Sequence, residues 1–263
     1  KQPYINSVNI ISPNTPFVIY NTHTIIDSTG NNNMEADYSE IIGLDLELNN
    51  VGNQLAQNIS ITISTQDIYV NLIDSTDFLT SINANNTINI SSPFILEIAN
   101  YVPDQHIVVF DLTVTDLQGN TWLSNFSIKI NAPILEDVSF TIDDTILGNA
   151  NGKLDAGENI DLIIDIENSG HADILNLIGS MTTSSPYISI NNPSLINAPS
   201  LMSNQQTSMS FNITIDPNTP AGTLADFNFN VNNNIYYHNK TFYETVGIVD
   251  EDYETGDFSQ YNW

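Results

Sequence analysis

Leu44-Asp45-Leu46-Glu47-Leu48 decides the fold, because apolar and acidic residues alternate strictly along it. A period of two places one set of side chains in a core and the other in water, as in a half-buried β-strand. The same alternation occurs at residues 59–63 (ISITI), 126–130 (FSIKI) and 227–231 (FNFNV). No long segment has helical periodicity. The sequence therefore predicts an all-β fold of short strands packed as a sandwich.

The segment that leads into this strand occurs twice. Residues 30–52 read GNNNMEADYSEIIGLDLELNNVG, and residues 148–170 read GNANGKLDAGENIDLIIDIENSG. Gly, Asp, Glu, Asn and a second Gly recur at a constant spacing without a gap, which is the signature of an internal repeat. We expect two immunoglobulin-like sandwiches of about seven strands each. They would span residues 1–132 and 133–249, and residues 250–263 would begin a following domain.

The charge balance excludes some partners. Four Lys, no Arg and 31 acidic residues give a formal net charge of −27. No basic patch for a nucleic-acid backbone can be built from so few cations, and an anionic membrane surface would repel the chain. Such a charge attracts cations and also favours solubility. No apolar run is long enough to span a bilayer and no signal peptide opens the chain. Because the sequence starts at Lys1, we expect a mature or excised fragment.

The repeated loop carries the pattern of a calcium site. Ca²⁺ takes six to eight oxygen ligands, which a short loop rich in Asn and Asp with a closing Glu can supply. In the second copy the candidate ligands are Asn149, Asn151, Asp155, Glu158, the carbonyl of Lys153, and Asp144 or its neighbour Asp143. In the first copy they are Asp27, Asn31, Asn33, Asp37 and Glu40.

A plain capped turn is the competing interpretation of both loops. Asp and Glu side chains commonly accept hydrogen bonds from backbone amides in Asn- and Gly-rich turns. That interpretation explains any single residue, but it explains less well why the oxygen ligands recur in register. We expect a more strained path in the first loop, where Met34 and Ser39 replace Gly152 and Gly157.

Catalytic patterns are missing from the sequence. Without Cys, the chain has no thiolate nucleophile and no disulfide. The four His residues fall in no metal-ligand spacing, and no nucleophile elbow or phosphate-binding loop occurs. Two aromatic positions, Trp122 and the run Tyr236-Tyr237-His238, could stack on sugars or simply fill the core.

Residues 148–158 (GNANGKLDAGE) resemble a loop of the immunoglobulin-like domains that follow the catalytic domain in gingipain-like secreted bacterial cysteine peptidases. Residues 103–106 (PDQH), 122–128 (WLSNFSI) and 131–133 (NAP) are similar to the same family. Residues 253–258 (YETGDF), with Trp263, resemble the start of the adhesin-like jelly roll that often comes next.

This resemblance implies an extracellular or cell-surface location, with neighbouring domains of a parent protein as partners. It transfers no catalytic residue, since the family's nucleophile is a Cys. The sequence thus predicts a non-catalytic spacer module stabilised by Ca²⁺. The alternative is an adhesion module that binds a protein or a glycan.

Overall fold

The computed structural model describes residues 14–192 and 195–247. In these two ranges all seventeen regular elements are β-strands and none is a helix, so the predicted all-β class is confirmed. The chain divides into two compact units, residues 1–132 and 133–263. The predicted start of a further domain at residues 250–263 lies outside the described part of the chain.

The first unit contains nine strands in two sheets. The sheet orders are β1-β3-β7-β5 and β2-β9-β8-β4-β6. The pairings are antiparallel except for the short parallel pairing of β2 with β9. The strands are β1 (Val18–Ile26), β2 (Ala36–Asp37), β3 (Ile41–Asn50), β4 (Ala56–Ser64), β5 (Val70–Asp74), β6 (Thr76–Ile82), β7 (Asn86–Ile98), β8 (His106–Thr115) and β9 (Thr121–Asn131).

The second unit contains eight strands with an equivalent order, β10-β11-β15-β13 and β14-β12-β16-β17. In place of β2 it has a single parallel bridge between Leu154 and Val246. The strands are β10 (Leu135–Asp143), β11 (Asn159–Asn168), β12 (Ile174–Thr182), β13 (Ile188–Asn192), β14 (Leu195–Leu201), β15 (Gln206–Ile215), β16 (Thr223–Asn232) and β17 (Tyr237–Val246).

Each unit therefore has more strands than the seven expected. In the second unit the addition is β14, whose sequence LINAPSL contains Pro199 and no period-two alternation. Proline removes a backbone donor and is tolerated in a sheet mainly at its edge. Since β14 is the first strand in its sheet order, its position explains why a stretch with Pro can still pair.

The alternating strands form the cores. Leu44, Leu46 and Leu48 on β3 are essentially fully buried, and so are the Ile and Leu residues at every second position of β11. Burying one such side chain stabilises the fold by about 1.5–3 kcal/mol. The intervening acids Asp45 and Glu47 stay partly exposed, so the alternation fixes which side of the strand faces inward.

A buried asparagine ends the central strand of each unit. Asn50 Oδ1 accepts hydrogen bonds from the backbone N–H of Phe17 (3.0 Å) and Gly52 (3.1 Å). Its Nδ2 donates to the carbonyls of Gln54 (2.8 Å) and Ile82 (3.1 Å). Asn50 thus pins three separate segments of its unit to one another.

Asn168 does the same in the second unit, where its side chain is also fully buried. It accepts from the backbone N–H of Ile134 and Gly170, and it donates to the carbonyls of Ala172 and Leu201. The recurring Asn and Gly of the sequence repeat are therefore structural residues.

Candidate cation-binding loops

The predicted ligands lie in two connections at the same place in each unit. The first loop, residues 27–40, joins β1 to β3 and contains β2. The second loop, residues 144–158, joins β10 to β11 and contains the bridging residue Leu154. Through β2 or Leu154, each loop pairs in parallel with the last strand of its own unit, β9 or β17. The loops therefore link the beginning and the end of each unit.

In the second loop, two carboxylates hold the backbone at its ends. Asp144 Oδ2 accepts from the N–H of Asn151 (2.7 Å) and Gly152 (3.1 Å). Glu158 accepts from the N–H of Asn149 through Oε1 and from that of Asp155 through Oε2, both at 3.0 Å. These four bonds fold the loop back on itself.

The third carboxylate, that of Asp155, faces the side-chain amides. Asp155 Oδ2 accepts from Nδ2 of Asn149 and of Asn151, each at 2.7 Å. The amide oxygens of the two asparagines are used locally, since they accept from the N–H of Asn151 (3.1 Å) and of Lys153 (2.8 Å). Three predicted acids and both predicted asparagines are thus brought together in one hydrogen-bonded frame.

The first loop has the same frame. Asp27 accepts from the N–H of Asn33 (2.8 Å) and Met34 (3.2 Å). Glu40 accepts from the N–H of Asn31 and Asp37, both at 3.1 Å. Asp37 Oδ2 accepts from Nδ2 of Asn31 (2.7 Å) and Asn33 (3.0 Å). Each predicted ligand of the first loop therefore occupies the same role as its counterpart in the second.

One carboxylate oxygen of the first loop is left over. Asp37 is 3% exposed, and its Oδ1 is buried without a hydrogen-bond partner among the described residues. The Asn131 amide lies beside Asp37, but its Nδ2 donates to Glu35 Oε2 at 2.7 Å. A buried, unpaired carboxylate oxygen is unfavourable unless a cation or a proton satisfies it.

Burial raises the pKa of both inner acids of the first loop. For Asp37, desolvation outweighs the opposing effect of the Asn31, Asn131 and Asn33 amides. For Glu40, desolvation outweighs the two backbone N–H groups that it accepts from, and the charges of Asp37 and Asp27 raise its pKa further. The first loop therefore holds negative charge at a free-energy cost that a bound cation would remove.

The loop glycines have two different roles. Gly152 and Gly157 adopt left-handed φ angles of 73° and 88°, and Met34 and Ser39 take the same conformation at 66° and 65°. A left-handed residue with a Cβ costs about 1–2 kcal/mol, so the first loop is the more strained of the two. Gly148 is required for space instead, because an added Cβ would lie 2.6 Å from Asp144 Cβ and 2.7 Å from its carbonyl oxygen.

Two residues of the predicted ligand sets have contacts of a different kind, and their role as ligands stays a prediction. Asp143 lies outside the frame, where it accepts from the backbone N–H and hydroxyl of Thr145. Lys153 joins the frame through its N–H, whereas its carbonyl was the predicted ligand. In the described ranges, no three His, Asp or Glu side chains form a group that could hold a metal ion in this conformation.

The histidines and aromatic residues are distributed across the sheets. His106 pairs with Asp67 and His238 with Asp137, each at 2.7 Å. The His23 ring lies 5.2 Å from that of Phe126 at a tilt of 41°, and burial lowers the pKa of His23. Trp122 and Tyr236 are each 8% exposed and belong to the cores, whereas Tyr237 is 70% exposed. Among Trp122, Tyr236 and Tyr237, therefore, Tyr237 is the aromatic residue exposed on the surface.

We expect Asp37→Asn to stabilise the metal-free protein at neutral pH. The folded-state pKa of Asp37 is raised, so the wild type loses stability as pH rises through that pKa. The isosteric amide of Asn does not ionise, so the variant does not lose stability in this way. The advantage of the variant should shrink towards pH 4, near the unfolded-state pKa of about 3.9. Thermal unfolding in EDTA across this pH range measures it. Glu40 contributes in the same direction, because the variant removes the Asp37 charge that raises the Glu40 pKa, whereas groups that do not interact with Asp37 cancel. A variant less stable than the wild type at pH 7 would contradict the prediction.

Within the described residues, no helix is long and apolar enough to span a membrane. No protein-family model matches the chain, and no curated protein matches it in sequence.

Comparison with solved structures finds distant similarity only. A red sea bream transglutaminase is 6% identical over 86% of this chain and 31% of its own, with a TM-score of 0.30. A Porphyromonas gingivalis W83 protein of unknown function is 14% identical over 80% of this chain and 94% of its own, with a TM-score of 0.25. A Salmonella alpha-2-macroglobulin is 8% identical over 81% of this chain and 16% of its own, with a TM-score of 0.32. The chain spans less than a third of the transglutaminase and of the macroglobulin. The gingipain-like resemblance remains a sequence-based prediction.

Proposed function

We propose that this chain is a non-catalytic spacer module of an exported or cell-surface bacterial protein, stabilised by Ca²⁺ in its two loops. The observation that supports the proposal is the repeated frame of three carboxylates and two asparagines, together with the buried and unpaired Asp37 Oδ1. The export, the bacterial source and the neighbouring domains as partners rest on the sequence resemblance described above.

The chemistry of the loops suits a hard cation. Carboxylate and amide oxygens are the ligands that Ca²⁺ prefers. The acids Asp27, Asp37 and Glu40 would hold it in the first loop, and Asp144, Asp155 and Glu158 in the second. Binding would require each set to move closer together and to exchange some of its hydrogen bonds for the cation, because the three acids do not form a metal-holding group in the conformation described. A bound cation would satisfy Asp37 Oδ1 and offset the mutual repulsion of the acids.

The position of the loops suits a mechanical role. In the second unit, Leu154 bridges to Val246 and its carbonyl accepts from Gly247 N–H at 2.7 Å. In the first unit, Ala36 and Asp37 pair with Ile130 and Asn131. Both contacts lie at the end of the unit's last strand. A cation that stiffens the loop would therefore stabilise the end of the last described strand of each unit.

The test is thermal unfolding after EDTA treatment, with and without millimolar Ca²⁺, and with Mg²⁺ for comparison. Saturation at 100 times the Kd adds about 2.7 kcal/mol to a protein that binds only when folded. The midpoint should rise by several degrees. In a Trp263→Phe background, Trp122 is the remaining tryptophan and reports on the first unit.

Variants identify the loop responsible. Asp37→Asn should remove the Ca²⁺-dependent rise seen by Trp122, and Asp155→Asn should remove the rise of the second unit seen by calorimetry. Asp111→Ala removes an exposed acid of β8 and should leave both responses intact. No rise with Ca²⁺, an equal rise with Mg²⁺, or a rise that survives both loop variants would rule out the calcium-stabilised spacer.

An adhesion module is the second candidate function. The exposed Tyr237 favours it, because an amphipathic aromatic side chain on a sheet surface is suited to contact a partner.

A further inference from the structure

The sheet β14-β12-β16-β17 has an outer surface covered by amides and hydroxyls. We call it the amide face, and it consists of side chains at alternate positions of three adjacent strands. Those positions are Ser180 and Thr182 on β12, Asn228, Asn230 and Asn232 on β16, and Asn239 and Thr241 on β17. A shallow depression of about 390 Å³ lies along it.

These side chains are linked across the strands. Asn230 Nδ2 donates to Asn239 Oδ1, and Asn232 Nδ2 donates to Asn230 Oδ1, each at 2.5 Å. Thr241 Oγ1 donates to Asn228 Oδ1 at 2.8 Å. Each Asn keeps further donor or acceptor capacity towards solvent, since an amide has two donors and two acceptor sites. The result is a row of oriented amides with open positions for a polar ligand.

An exposed tyrosine stands at each end of this row. Tyr237 pairs with Asn232 and is 70% exposed, and Tyr243 pairs with Asp226 and is 62% exposed. The two are six residues apart on β17, so they point to the same side of the sheet about 20 Å from each other. A rigid aromatic ring offers a large amphipathic contact with little loss of side-chain entropy.

The amide face carries little charge in a chain of net charge −27. Its one acid among these strand positions is Asp226, whose pKa is lowered chiefly by a hydrogen bond from the Ser184 hydroxyl at 2.6 Å. The other sheet of the same unit has three acids along β11 alone, Asp161, Asp165 and Glu167. The outward positions of β12, β16 and β17 thus carry one acid together, fewer than β11 carries alone.

We infer that the amide face binds a neutral polysaccharide chain. Asn and Ser/Thr side chains match the donors and acceptors of sugar hydroxyls, and tyrosine rings stack on the apolar C–H face of a pyranose. A face with a single acid suits an uncharged polymer, whereas an acidic glycan would meet the negative field of the whole chain. The spacing of the tyrosines would engage several consecutive sugar rings.

The arrangement differs from that of a protein interface. Protein interfaces have an apolar or aromatic centre surrounded by a polar rim. Here the amides occupy the centre, and the aromatic and aliphatic residues lie at the ends, with Leu224 beyond Tyr243 and Ile178 in the row of Tyr237. This distribution favours an extended glycan over a protein partner.

The first unit provides an internal comparison. Ile130 pairs with Ala36 and Val246 pairs with Leu154, which aligns β9 with β17. In this alignment Thr121 stands at the position of Tyr237 and Ser127 at that of Tyr243. These two positions of the first unit therefore have hydroxyls in place of the tyrosines, and the exposed Phe78 of that sheet lies on β6, three strands away from β9. We therefore assign the binding to the second unit.

Affinity gel electrophoresis of the full chain tests the inference. The probes are laminarin, xylan and mannan as neutral polysaccharides, with alginate as an acidic one. We expect retardation by at least one neutral polymer and none by alginate. Tyr237→Ala and Tyr243→Ala should each weaken the binding by about tenfold, while Tyr101→Ala, which removes an exposed tyrosine of the first unit, should not.

Near-ultraviolet circular dichroism verifies that the variants are folded. Absence of retardation by all three neutral polymers overturns the inference. Equal retardation by alginate also overturns it, as does unchanged binding of the Tyr237→Ala/Tyr243→Ala double variant. The outcome is independent of the calcium response, which is measured by unfolding and involves other residues.

Discussion

Asn50→Leu is expected to lower the free energy of unfolding of the first unit by about 3 kcal/mol or more. The side chain is fully buried and makes four hydrogen bonds, all to backbone groups. Leucine has a similar size but leaves two N–H groups and two carbonyls without their partner. Each unpaired buried group costs about 1–3 kcal/mol. The loss is a large part of the total stability of about 5–15 kcal/mol that a domain commonly has.

Denaturant unfolding followed by Trp122 fluorescence measures this loss in the Trp263→Phe background. Asn125→Leu is the matched control, because Asn125 lies exposed on β9 and the same substitution there should change stability by less than about 0.5 kcal/mol. Asn50→Asp keeps the acceptor oxygen but loses the two donations, so it should also be destabilised at neutral pH. Equal stabilities of Asn50→Leu and Asn125→Leu would show that the hydrogen bonds of Asn50 contribute little.

The all-β class and the two loops were predictable because both depend on short-range pattern. Alternation along β3 and β11 determines which side chains are buried, and this is a local property of the strand. The repeat also showed that Asn50 recurs as Asn168 at the same position of the second copy. Their role was not predictable, since their partners lie up to 34 residues away and are brought close only by the sheets.

The residues that form the loop frame were predictable in kind but not in detail, and their role as ligands stays a prediction. Asp27 precedes Gly30 by three residues, whereas Asp144 precedes Gly148 by four. Because of this difference of one residue, the spacing in the first loop does not identify the counterpart of Asp27 in the second. The folded loop shows that Asp144, the residue in the predicted ligand set, holds the backbone. Similarly, the unpaired Asp37 Oδ1 results from tertiary burial, which no spacing reveals.

The amide face was the least predictable feature. The sequence predicted sugar stacking or core packing for Tyr236 and Tyr237 together, but adjacent residues of a strand point to opposite sides. Tyr236 is buried, and the partner of Tyr237 on the surface is Tyr243. The period of two places residues 237 and 243 on the same face of β17, but it does not determine which face is exposed to solvent.

The second large effect is expected for Gly148→Ala, which should destabilise the second unit by about 3 kcal/mol, at the upper end for overpacking. The new Cβ would lie 2.6 Å from Asp144 Cβ, 2.7 Å from Asp144 O and 3.0 Å from Glu158 Oε1. Two of these atoms belong to the rigid start of the loop, so the loop itself must shift. That shift would separate Asp144 and Glu158, and the Ca²⁺ response of the second unit should disappear.

Gly152→Ala is the control that distinguishes the effect of a steric clash from the effect of a left-handed backbone conformation. Nothing lies within 4 Å of its added Cβ, but its φ is 73°, so the expected loss is about 1 kcal/mol and the Ca²⁺ response should persist. Calorimetry of the full chain measures both variants, and the Trp122 transition serves as an internal reference for the unaffected first unit. If Gly148→Ala kept its Ca²⁺ response, the close approach of Gly148 to Asp144 and Glu158 would not be needed for binding. The cation would then have to lie nearer to Asp155, at the other side of the loop.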